Sequence, residues 1–276
     1  MHTLEENSDR LTRHAREIRK LAIKAIYHAR SGHPGGSLSI ADILSVLYFQ
    51  EMRVDPQNPC WPERDRLVLS KGHACPALYA ALALKGFFSL EETASLRKSD
   101  HFLEGHPDVR IPGIDAPSGS LGMGLSQGLG MALGSRYTGK DFRTYVILGD
   151  GDMQEGNTWE AFMAAGHHKV GSLTAILDSN GLQGEDTVAN QMNFSPISPK
   201  LSSFGWQVQE VDGHDMEQLC SALDSAKNAA DKPSFILAHT TKGKGVPFME
   251  NQQGWHGSST LTDEQLYQSL QALEAE

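Results

Sequence analysis

The chain has 276 residues, 39% of them hydrophobic, which is enough to bury a sizeable core as one large domain or two small ones. Its formal net charge of −10 gives no basic surface for nucleic acid or an anionic membrane, so we expect neither as a partner. No apolar run is long enough to span a bilayer, no secretion signal is evident, and three widely spaced cysteines favour reduced thiols in the cytoplasm.

The first third of the chain predicts two helices and a strand, with histidines in the loops between them. Apolar residues recur at helical spacing over residues 8–30, and residues 39–42 resemble the capping sequence of a further helix. Between these helices, His33 lies in a loop of glycine and proline. Residues 66–70 predict a strand, and His73 follows in its exit turn. By pattern alone, both histidines also suit a solvated loop.

A long irregular segment and a glycine-rich turn come next. Residues 99–118 contain three prolines and His106, and a loop of this length in a compact domain is usually functional or mobile. Residues 119–124 read Gly-Ser-Leu-Gly-Met-Gly and lead into a helix. Their spacing matches neither the dinucleotide-binding fingerprint nor the P-loop, so the turn predicts no nucleotide site of either kind.

The centre of the chain predicts a strand–helix–strand unit. Residues 144–148 and 173–177 are short apolar runs typical of buried strands. Between them, residues 158–169 have apolar side chains at helical spacing, with Asn157 or Thr158 as the expected N-cap. A helical crossover of this length allows the two strands to be parallel, so their carboxyl ends should lie on the same edge of the sheet.

Two polar residues leave these strands at that edge. Asp150 follows the first strand and Asn180 the second, and the backbone carbonyl of Leu182 can add a third oxygen. Oxygen ligands of this kind suit Mg²⁺, which fills its remaining positions with phosphate oxygens and water. Gly149 and Gly151 lack a Cβ and let the backbone approach a diphosphate closely. An isolated Gly-Asp-Gly indicates only a turn, but this pairing predicts a magnesium–diphosphate site.

The last third of the chain adds two strands, over residues 205–211 and 233–240, and a terminal helix over residues 262–276. His214 lies at the end of the first of these strands, where a role in the turn is favoured. Lys242 belongs to a basic loop that suits a phosphate or a solvated hinge equally well.

Strands and helices alternate along the whole chain without a linker. We therefore expect an α/β fold with a mostly parallel sheet and helices on both faces. The expected organisation is a single domain over residues 1–276, with a core of about 11–257 and the terminal helix packed outside it.

The central motifs resemble those of a known family. Gly149-Asp150-Gly151 through Asn180 resembles the thiamine-diphosphate motif, and residues 11–257 resemble the amino-terminal domain of transketolase. The resemblance implies the thiamine-diphosphate-binding fold. It also implies thiamine diphosphate as the cofactor, together with Mg²⁺ or another divalent cation such as Ca²⁺ or Mn²⁺.

The resemblance further implies which residues form the site. Transketolases have similar glycine–histidine segments near cofactor and sugar, so the implied catalytic residues are His33, His73 and His106 and, on a looser match, His256. The implied cofactor contacts are His73, Gly119, Leu121, Gly149, Asp150, Gly151, Glu155 and Asn180, and the implied metal ligands are Asp150, Asn180 and Leu182. Glu155 in this family lies at the contact with a partner domain. The glycine-rich turn departs from many transketolases, with Ser120 and Met123 in place of proline and glutamine.

The resemblance also implies a partner. Full-length transketolases continue into a domain that binds the aminopyrimidine, whereas this sequence ends at Glu276. We therefore expect the N-terminal subunit of a two-chain transketolase, joined to a separate C-terminal subunit in an α2β2 assembly. Such an enzyme transfers a two-carbon ketol unit from a ketose, or its phosphate, to an aldose, or its phosphate. The cofactor is the electron sink, and histidines transfer protons near neutral pH.

Two other functions stay open. One is a subunit of another two-chain thiamine-diphosphate enzyme. A 2-oxo acid decarboxylating enzyme gives no reason for three histidines in sugar-facing loops, and deoxyxylulose-phosphate synthase differs around the first glycine–histidine segment and the glycine-rich turn. The other is a non-catalytic binding subunit that keeps only the fold. The sequence also leaves open which ketose is used and whether its acid group is a phosphate.

Overall fold

A parallel sheet forms the centre of the protein. The computed structural model describes residues 4–184, 186–257 and 260–275. The strands in these ranges are β1 (Arg66–Leu69), β2 (Thr144–Gly149), β3 (Leu173–Ser179), β4 (Leu182–Gln183), β5 (Asp186–Thr187), β6 (Gln207–Asp212) and β7 (Ser234–His239). The main sheet has the order β1-β2-β3-β7-β6, and each neighbouring pair in it is parallel. β4 and β5 form a small antiparallel pair.

The helices lie between these strands in the chain. They are α1 (Leu4–Ala29), α2 (Pro34–Ser39), α3 (Ala41–Val46), α4 (Cys75–Lys85), α5 (Gly124–Thr138), α6 (Gly156–His167), α7 (Val188–Gln191), α8 (Ser198–Ser203), α9 (Met216–Lys227) and α10 (Asp263–Ala275). Short 3-10 segments cover Gly72–Ala74, Leu90–Ser95, Asp150–Gln154 and Gln253–Trp255. Among the described residues, no helix is both long enough and apolar enough to cross a membrane.

Alternate residues of each central strand pack into two different cores. Tyr145 and Ile147 of β2 join the core that contains apolar residues of α1, α3, α4 and α9. Val146 and Leu148, which point the other way, join the core formed with α5, α6 and α8. Successive side chains of a strand lie on opposite faces, so helices cover both faces of the sheet. The predicted α/β fold with a mostly parallel sheet is confirmed.

The parallel register brings polar residues to one edge of the sheet. Gly149 pairs with Asp178 in neighbouring strands, and Ser179 pairs with His239. The segments that follow β1, β2, β3 and β7 therefore emerge side by side at the carboxyl edge, where open α/β sheets hold their ligands. Asp150 and Asn180 lie in these segments, together with His73.

The expected capping side chains of two helices bind elsewhere. The helix expected after Ser39 is α3, which begins at Ala41, but its N-cap is Ile40 and Oγ of Ser39 donates to the carboxylate of Asp178. α6 begins at Gly156, after an N-cap position occupied by Glu155. Side-chain partners distant in the sequence can compete with local capping, and such partners are not visible in a capping pattern.

The terminal helix α10 packs against α1. Nζ of Lys20 contacts a carboxylate oxygen of Glu274 at 2.6 Å, and the hydroxyl of Tyr27 donates to Asp263 at 2.8 Å. Leu273 is fully buried in the same core as α1. The two ends of the described chain therefore pack together, and the single domain of residues 1–276 stays a prediction.

Candidate active site

A cavity of about 310 Å³ lies at the carboxyl edge of the sheet. Its lining includes most of the predicted site residues, namely His33, His73, Gly119, Leu121, Gly149, Asp150, Gly151, Asn180, Leu182 and His256. It also includes residues that the sequence did not single out as a group: Gly36, Lys71, Asp152, Gln183, Gly184, Gln191 and Lys242. The fold thus brings together side chains from several separate segments of the chain.

Asp150 is buried at this cavity and is held by backbone amides. Its Oδ2 accepts hydrogen bonds from the N–H groups of Asn180 and Gly181, at 3.1 and 2.9 Å. Within the described part of the chain no hydrogen bond to its Oδ1 is found. Burial raises the pKa of Asp150 to about 7, and the negative charge of Asp178 adds to this shift. A cation next to Asp150 would therefore be favourable.

The other two expected metal ligands follow β3. Oδ1 of Asn180 accepts a hydrogen bond from the backbone N–H of Leu182 at 3.2 Å. The carbonyl oxygen of Leu182 lies 3.4 Å from Nζ of Lys242. No group of three His, Cys, Asp or Glu side chains that could hold a metal occurs among the described residues. The expected donor set contains only one side chain of these types, Asp150.

Asp178 is the central anion behind the cavity. It is fully buried and pairs with the ammonium of Lys71. The hydroxyls of Ser39 and Thr240 also donate to it, as does the amide nitrogen of Asn180. Burial alone would raise the pKa of this carboxyl, but the charge of Lys71 and these hydrogen bonds outweigh burial and lower it. Asp178 therefore stays ionised and orients Asn180.

Asp152 ties the glycine-rich turn to the ends of two strands. Its Oδ1 accepts from the hydroxyl of Ser70 at 2.5 Å and from the N–H of Gly122 at 2.8 Å. Its Oδ2 accepts from the N–H of Gly149 at 2.9 Å. The segments after β1 and β2 are thus fixed relative to the turn that carries Leu121. We assign Asp152 an orienting role.

Three histidine rings meet at the cavity. The ring centroids of His33 and His73 are 5.0 Å apart, and that of His256 lies 5.8 Å from His33 and 5.4 Å from His73. Burial is the main cause of a lowered pKa in each ring, to about 4 in His33 and His256 and well below 6.5 in His73. All three are therefore neutral at pH 7, and each can donate and accept one hydrogen bond.

His106 and Glu155 take different places from those three. His106 is exposed and does not line the cavity, although its ring packs against the backbone of Gly119. The partial desolvation of the ring where it packs on Gly119, together with the charge of Arg97, lowers its pKa. Glu155 is also exposed outside the cavity, and its side chain packs against Gly122. The looser match, His256, thus joins the histidine cluster more closely than His106.

Lys242 is buried, which rules out the solvated hinge for this residue. Its side chain is 1% exposed, and its Nζ lies 3.1 Å from Nδ1 of His256. Burial and the nearby charge of Lys71 lower the pKa of Lys242 to about 8. Two ammonium groups therefore lie at the cavity, Lys71 paired with Asp178 and Lys242 beside His256.

The sequence did not predict the buried contacts of Lys71, Asp178 and His214. One signal was available for Asp178, because a charged residue that ends a fully apolar run must be paired when the strand is buried. His214 is not a simple turn residue, since its Nδ1 lies 2.7 Å from Oδ2 of the buried Asp42. That partner is 172 positions away, and no local pattern could reveal it.

Known proteins resemble this chain over nearly its whole length. The sequence profile of the family described as "Transketolase, thiamine diphosphate binding domain" matches residues 11–274. The 6-deoxy-6-sulfo-D-fructose transketolase subunit SqwG of Clostridium sp. (strain MSTE9) is 45% identical over 96% of this chain and 97% of the relative. An apulose-4-phosphate transketolase subunit of Phocaeicola vulgatus is 42% identical, over 86% of this chain and 85% of the relative.

Longer transketolases match the chain over part of their own length. Human transketolase is 43% identical over 88% of this chain, which corresponds to 39% of the human sequence. The solved structure of transketolase from Campylobacter jejuni superposes with a TM-score of 0.92 at 34% identity, over 99% of this chain and 43% of that chain. The similarity therefore covers about two-fifths of these longer chains.

Proposed function

Because this chain belongs to the family of transketolase thiamine-diphosphate-binding domains, we propose that it supplies the diphosphate-binding half of a two-chain transketolase. Such an enzyme moves a two-carbon ketol unit from a ketose to an aldose. The observation that carries the proposal is the buried carboxylate of Asp150, fixed by two backbone amides at the cavity. A buried carboxyl that lines a cavity and has a strongly raised pKa is typical of a functional site.

The residues around Asp150 fit a divalent cation and a diphosphate. A carboxylate, an amide oxygen and a backbone carbonyl form a hard-oxygen donor set, which suits Mg²⁺ and also accepts Ca²⁺ or Mn²⁺. A Cβ added at Gly149 would lie 3.2 Å from Lys71, and one at Gly151 would lie 3.0 Å from Leu121, so larger residues would narrow the cavity. Lys71 and Lys242 supply positive charge opposite an anionic group.

Two buried polar atoms at the cavity are available to form hydrogen bonds with a ligand. Nδ1 of His33 and Oε1 of Gln183 have no hydrogen-bond partner among the described residues. A buried polar atom without a partner is unfavourable by about 1–3 kcal/mol, and a ligand bound in the cavity would remove that cost for these two atoms. We assign both atoms to the contact with cofactor or sugar.

The histidine cluster supplies the groups that handle protons. Thiamine diphosphate, when bound, supplies the electron sink for breaking and forming the carbon–carbon bond. His33, His73 and His256 are neutral and their ring centroids lie 5.0 to 5.8 Å apart, so they can donate to or accept from the hydroxyl and carbonyl oxygens of a sugar. We keep His106 as an exposed sugar contact at the edge of the site.

A partner chain completes the proposed enzyme. Two relatives of similar length are named as subunits, and single-chain transketolases contain more than half of their length outside the matched region. Met123 and Met192 are 46% and 61% exposed beside the cavity lining residues Leu121 and Gln191. We place the partner's contact on this surface, which also contains Glu155. An α2β2 assembly in the cytoplasm is part of the proposal.

The acid group of the sugar is the open feature of the substrate. One relative is named for a sulfo-sugar and another for a sugar phosphate, at 45% and 42% identity to this chain. We propose a ketose with an anionic terminal group as donor. A direct comparison of 6-deoxy-6-sulfofructose, apulose 4-phosphate and xylulose 5-phosphate as donors, with one common aldose acceptor, would identify that group.

Binding of thiamine diphosphate tests the proposed role of this chain. In the complex with its partner chain, binding measured by titration calorimetry should require Mg²⁺ and should disappear in Asp150→Asn. The matched control is Asp186→Asn, a partly buried carboxyl of β5 beyond the cavity lining, which should bind as the unmodified chain does. Magnesium-independent binding, or full affinity in Asp150→Asn, would contradict the proposal.

A further inference from the structure

A buried chain of polar contacts connects α1 to the loop that carries Lys242. Arg19 pairs with Asp42, and both side chains are nearly inaccessible, at 3% and 5% exposure. Nδ1 of His214 lies 2.7 Å from the same carboxylate oxygen of Asp42. On the other side of the ring, Nε2 of His214 accepts a hydrogen bond from the backbone N–H of Thr241 at 2.8 Å. Thr241 directly precedes Lys242 in the chain.

These contacts define the tautomer of His214. A backbone N–H can only donate, so Nε2 must offer its lone pair to Thr241 and cannot hold a proton. The ring proton is therefore on Nδ1 and is donated to Asp42. Arg19 balances the charge of that carboxylate, whose pKa burial would raise but which Arg19 and His214 together lower. Asp42 thus remains ionised and orients the imidazole.

The backbone around Lys242 is held from several directions. The carbonyl of Lys242 accepts from the N–H of Asn251 at 2.8 Å, and the N–H of Gly243 donates to the carbonyl of Gly35 at 3.0 Å. The hydroxyl of Thr240 donates to Asp178. His214 supplies the contact that holds the amide of Thr241, immediately before Lys242. The side chain of Lys242 then extends to within 3.1 Å of His256 and 3.4 Å of the Leu182 carbonyl.

We propose that His214 is a positioning residue, which places the ammonium of Lys242 at the cavity by accepting the backbone N–H of Thr241. The proposal rests on the proposed function, in that Lys242 faces the diphosphate of the cofactor. His214 itself has no place in the cavity lining. Its effect on binding must pass through the loop, since Thr241 is the residue that joins its contacts to Lys242.

Three substitutions separate the two contacts of the ring. His214→Gln can keep an acceptor near the position of Nε2, whereas His214→Asn can keep only a donor near the position of Nδ1. His214→Phe removes both groups. Each is measured in the complex with the partner chain by the Kd for thiamine diphosphate in the presence of Mg²⁺. Hydrogen exchange over residues 241–245 is measured on this chain alone, and thermal unfolding reports the fold.

The positioning role predicts that His214→Asn raises the Kd about tenfold, in the range seen when an outer contact of a site is removed. Exchange over residues 241–245 becomes faster in the same variant. The Kd of His214→Gln should be within about twofold of that of the unmodified chain, a difference in binding free energy of less than about 0.5 kcal/mol. Equal loss of affinity in His214→Gln and His214→Asn would overturn the proposal, and this pair decides the question even if His214→Phe does not fold.

Repeating the His214→Asn substitution in a Lys242→Met protein shows whether His214 changes the Kd through Lys242. Lys242→Met should itself raise the Kd, and adding His214→Asn to it should change the Kd no further. An equal additional loss would overturn the proposal, as would an unchanged Kd in Lys242→Met. Failure of the unmodified complex to bind thiamine diphosphate would instead contradict the proposed function. Unchanged exchange over residues 241–245 in His214→Asn would then still reject the positioning role.

Discussion

Lys71 and Asp178 form an ion pair inside the protein, with exposed side-chain fractions of only 3% and 0%. Asp178 is the penultimate residue of β3, and Lys71 lies two residues after β1, which is separated from β3 in the sheet by β2. Nζ of Lys71 also donates to the carbonyl of Gly36 at 3.0 Å. The pair therefore joins α2, which directly follows His33, to the carboxyl edge of the sheet behind the cavity.

Removal of Lys71 should destabilise the protein strongly. Lys71→Met leaves the carboxylate of Asp178 buried without its cation, and breaking a buried pair in this way is unfavourable by about 3–5 kcal/mol. Urea unfolding of this chain should show that loss. The double variant Lys71→Met/Asp178→Asn should recover most of it, because no unpaired charge is left. A double variant as unstable as Lys71→Met would show that the charge is not the cause.

Two glycines of α5 offer a matched test of the close approach between α5 and β1. A Cβ added at Gly124 would lie 2.4 Å from Cβ of Ser70, the residue whose hydroxyl donates to Asp152. Gly124→Ala should therefore destabilise the protein by about 1–3 kcal/mol through overpacking. At Gly130 an added Cβ meets no described atom within 4 Å. Gly130→Ala should instead stabilise it by about 0.5–1 kcal/mol through helix propensity.

The thermal unfolding of the two alanine variants should therefore move in opposite directions. Binding of thiamine diphosphate should weaken only in Gly124→Ala, because Asp152 orients the turn and Gly149 at the cavity. Equal changes in both variants would show that helix propensity dominates and that the contact with Ser70 is unimportant.

Acid should destabilise the protein partly through His33. Burial, with the charge of Arg97, lowers the pKa of His33 from 6.5 to about 4. The unfolded chain binds a proton at this residue between those values while the folded protein does not, so folding stability is full above pH 6.5 and falls as the pH drops towards 4. Because the ring is only partly buried, solvent screening keeps the loss below the full value of about 1.36 kcal/mol per pKa unit.

The variant His33→Gln removes this contribution. Urea unfolding at about pH 7 and about pH 4.5 should show a smaller difference in the free energy of unfolding for His33→Gln than for the unmodified chain. His28, which is exposed on α1, gives the control His28→Gln, and this variant should keep the full difference. Identical pH dependence in all three proteins would contradict the buried, neutral state of His33.

Much of the fold could be predicted because the strands are short apolar runs that end at glycine or a polar residue. The parallel pairing of β2 and β3 brings their carboxyl ends to one edge of the sheet, where Asp150 and Asn180 follow them. The positions of these two residues could therefore be predicted from the local sequence pattern and the rule for parallel strands. The caps of α3 and α6 were predicted incorrectly, because the hydroxyl of Ser39 donates to Asp178 and that of Thr158 to the carbonyl of Asp152.

The remaining features depend on contacts that no local pattern contains. A lysine after a strand is usually solvated, and only the folded chain shows Lys71 and Lys242 to be 3% and 1% exposed. His256 joins His33 and His73 because the segment around Gly257 packs closely against the ring of His33. The hydrogen bonds of His214 join it to Asp42 and Thr241, which lie far from each other in the sequence. Tertiary packing, and not propensity, determines these positions.

Ketol transfer by this chain with and without its partner tests the central claim most directly. The assay uses a ketose donor with an aldose acceptor, thiamine diphosphate and Mg²⁺, and it compares this chain alone, the polypeptide encoded beside it alone, and the two together. We predict transfer only in the mixture, and its loss when Asp150→Asn replaces the unmodified chain. Full transfer by this chain alone would contradict the claim that it supplies only the diphosphate-binding half.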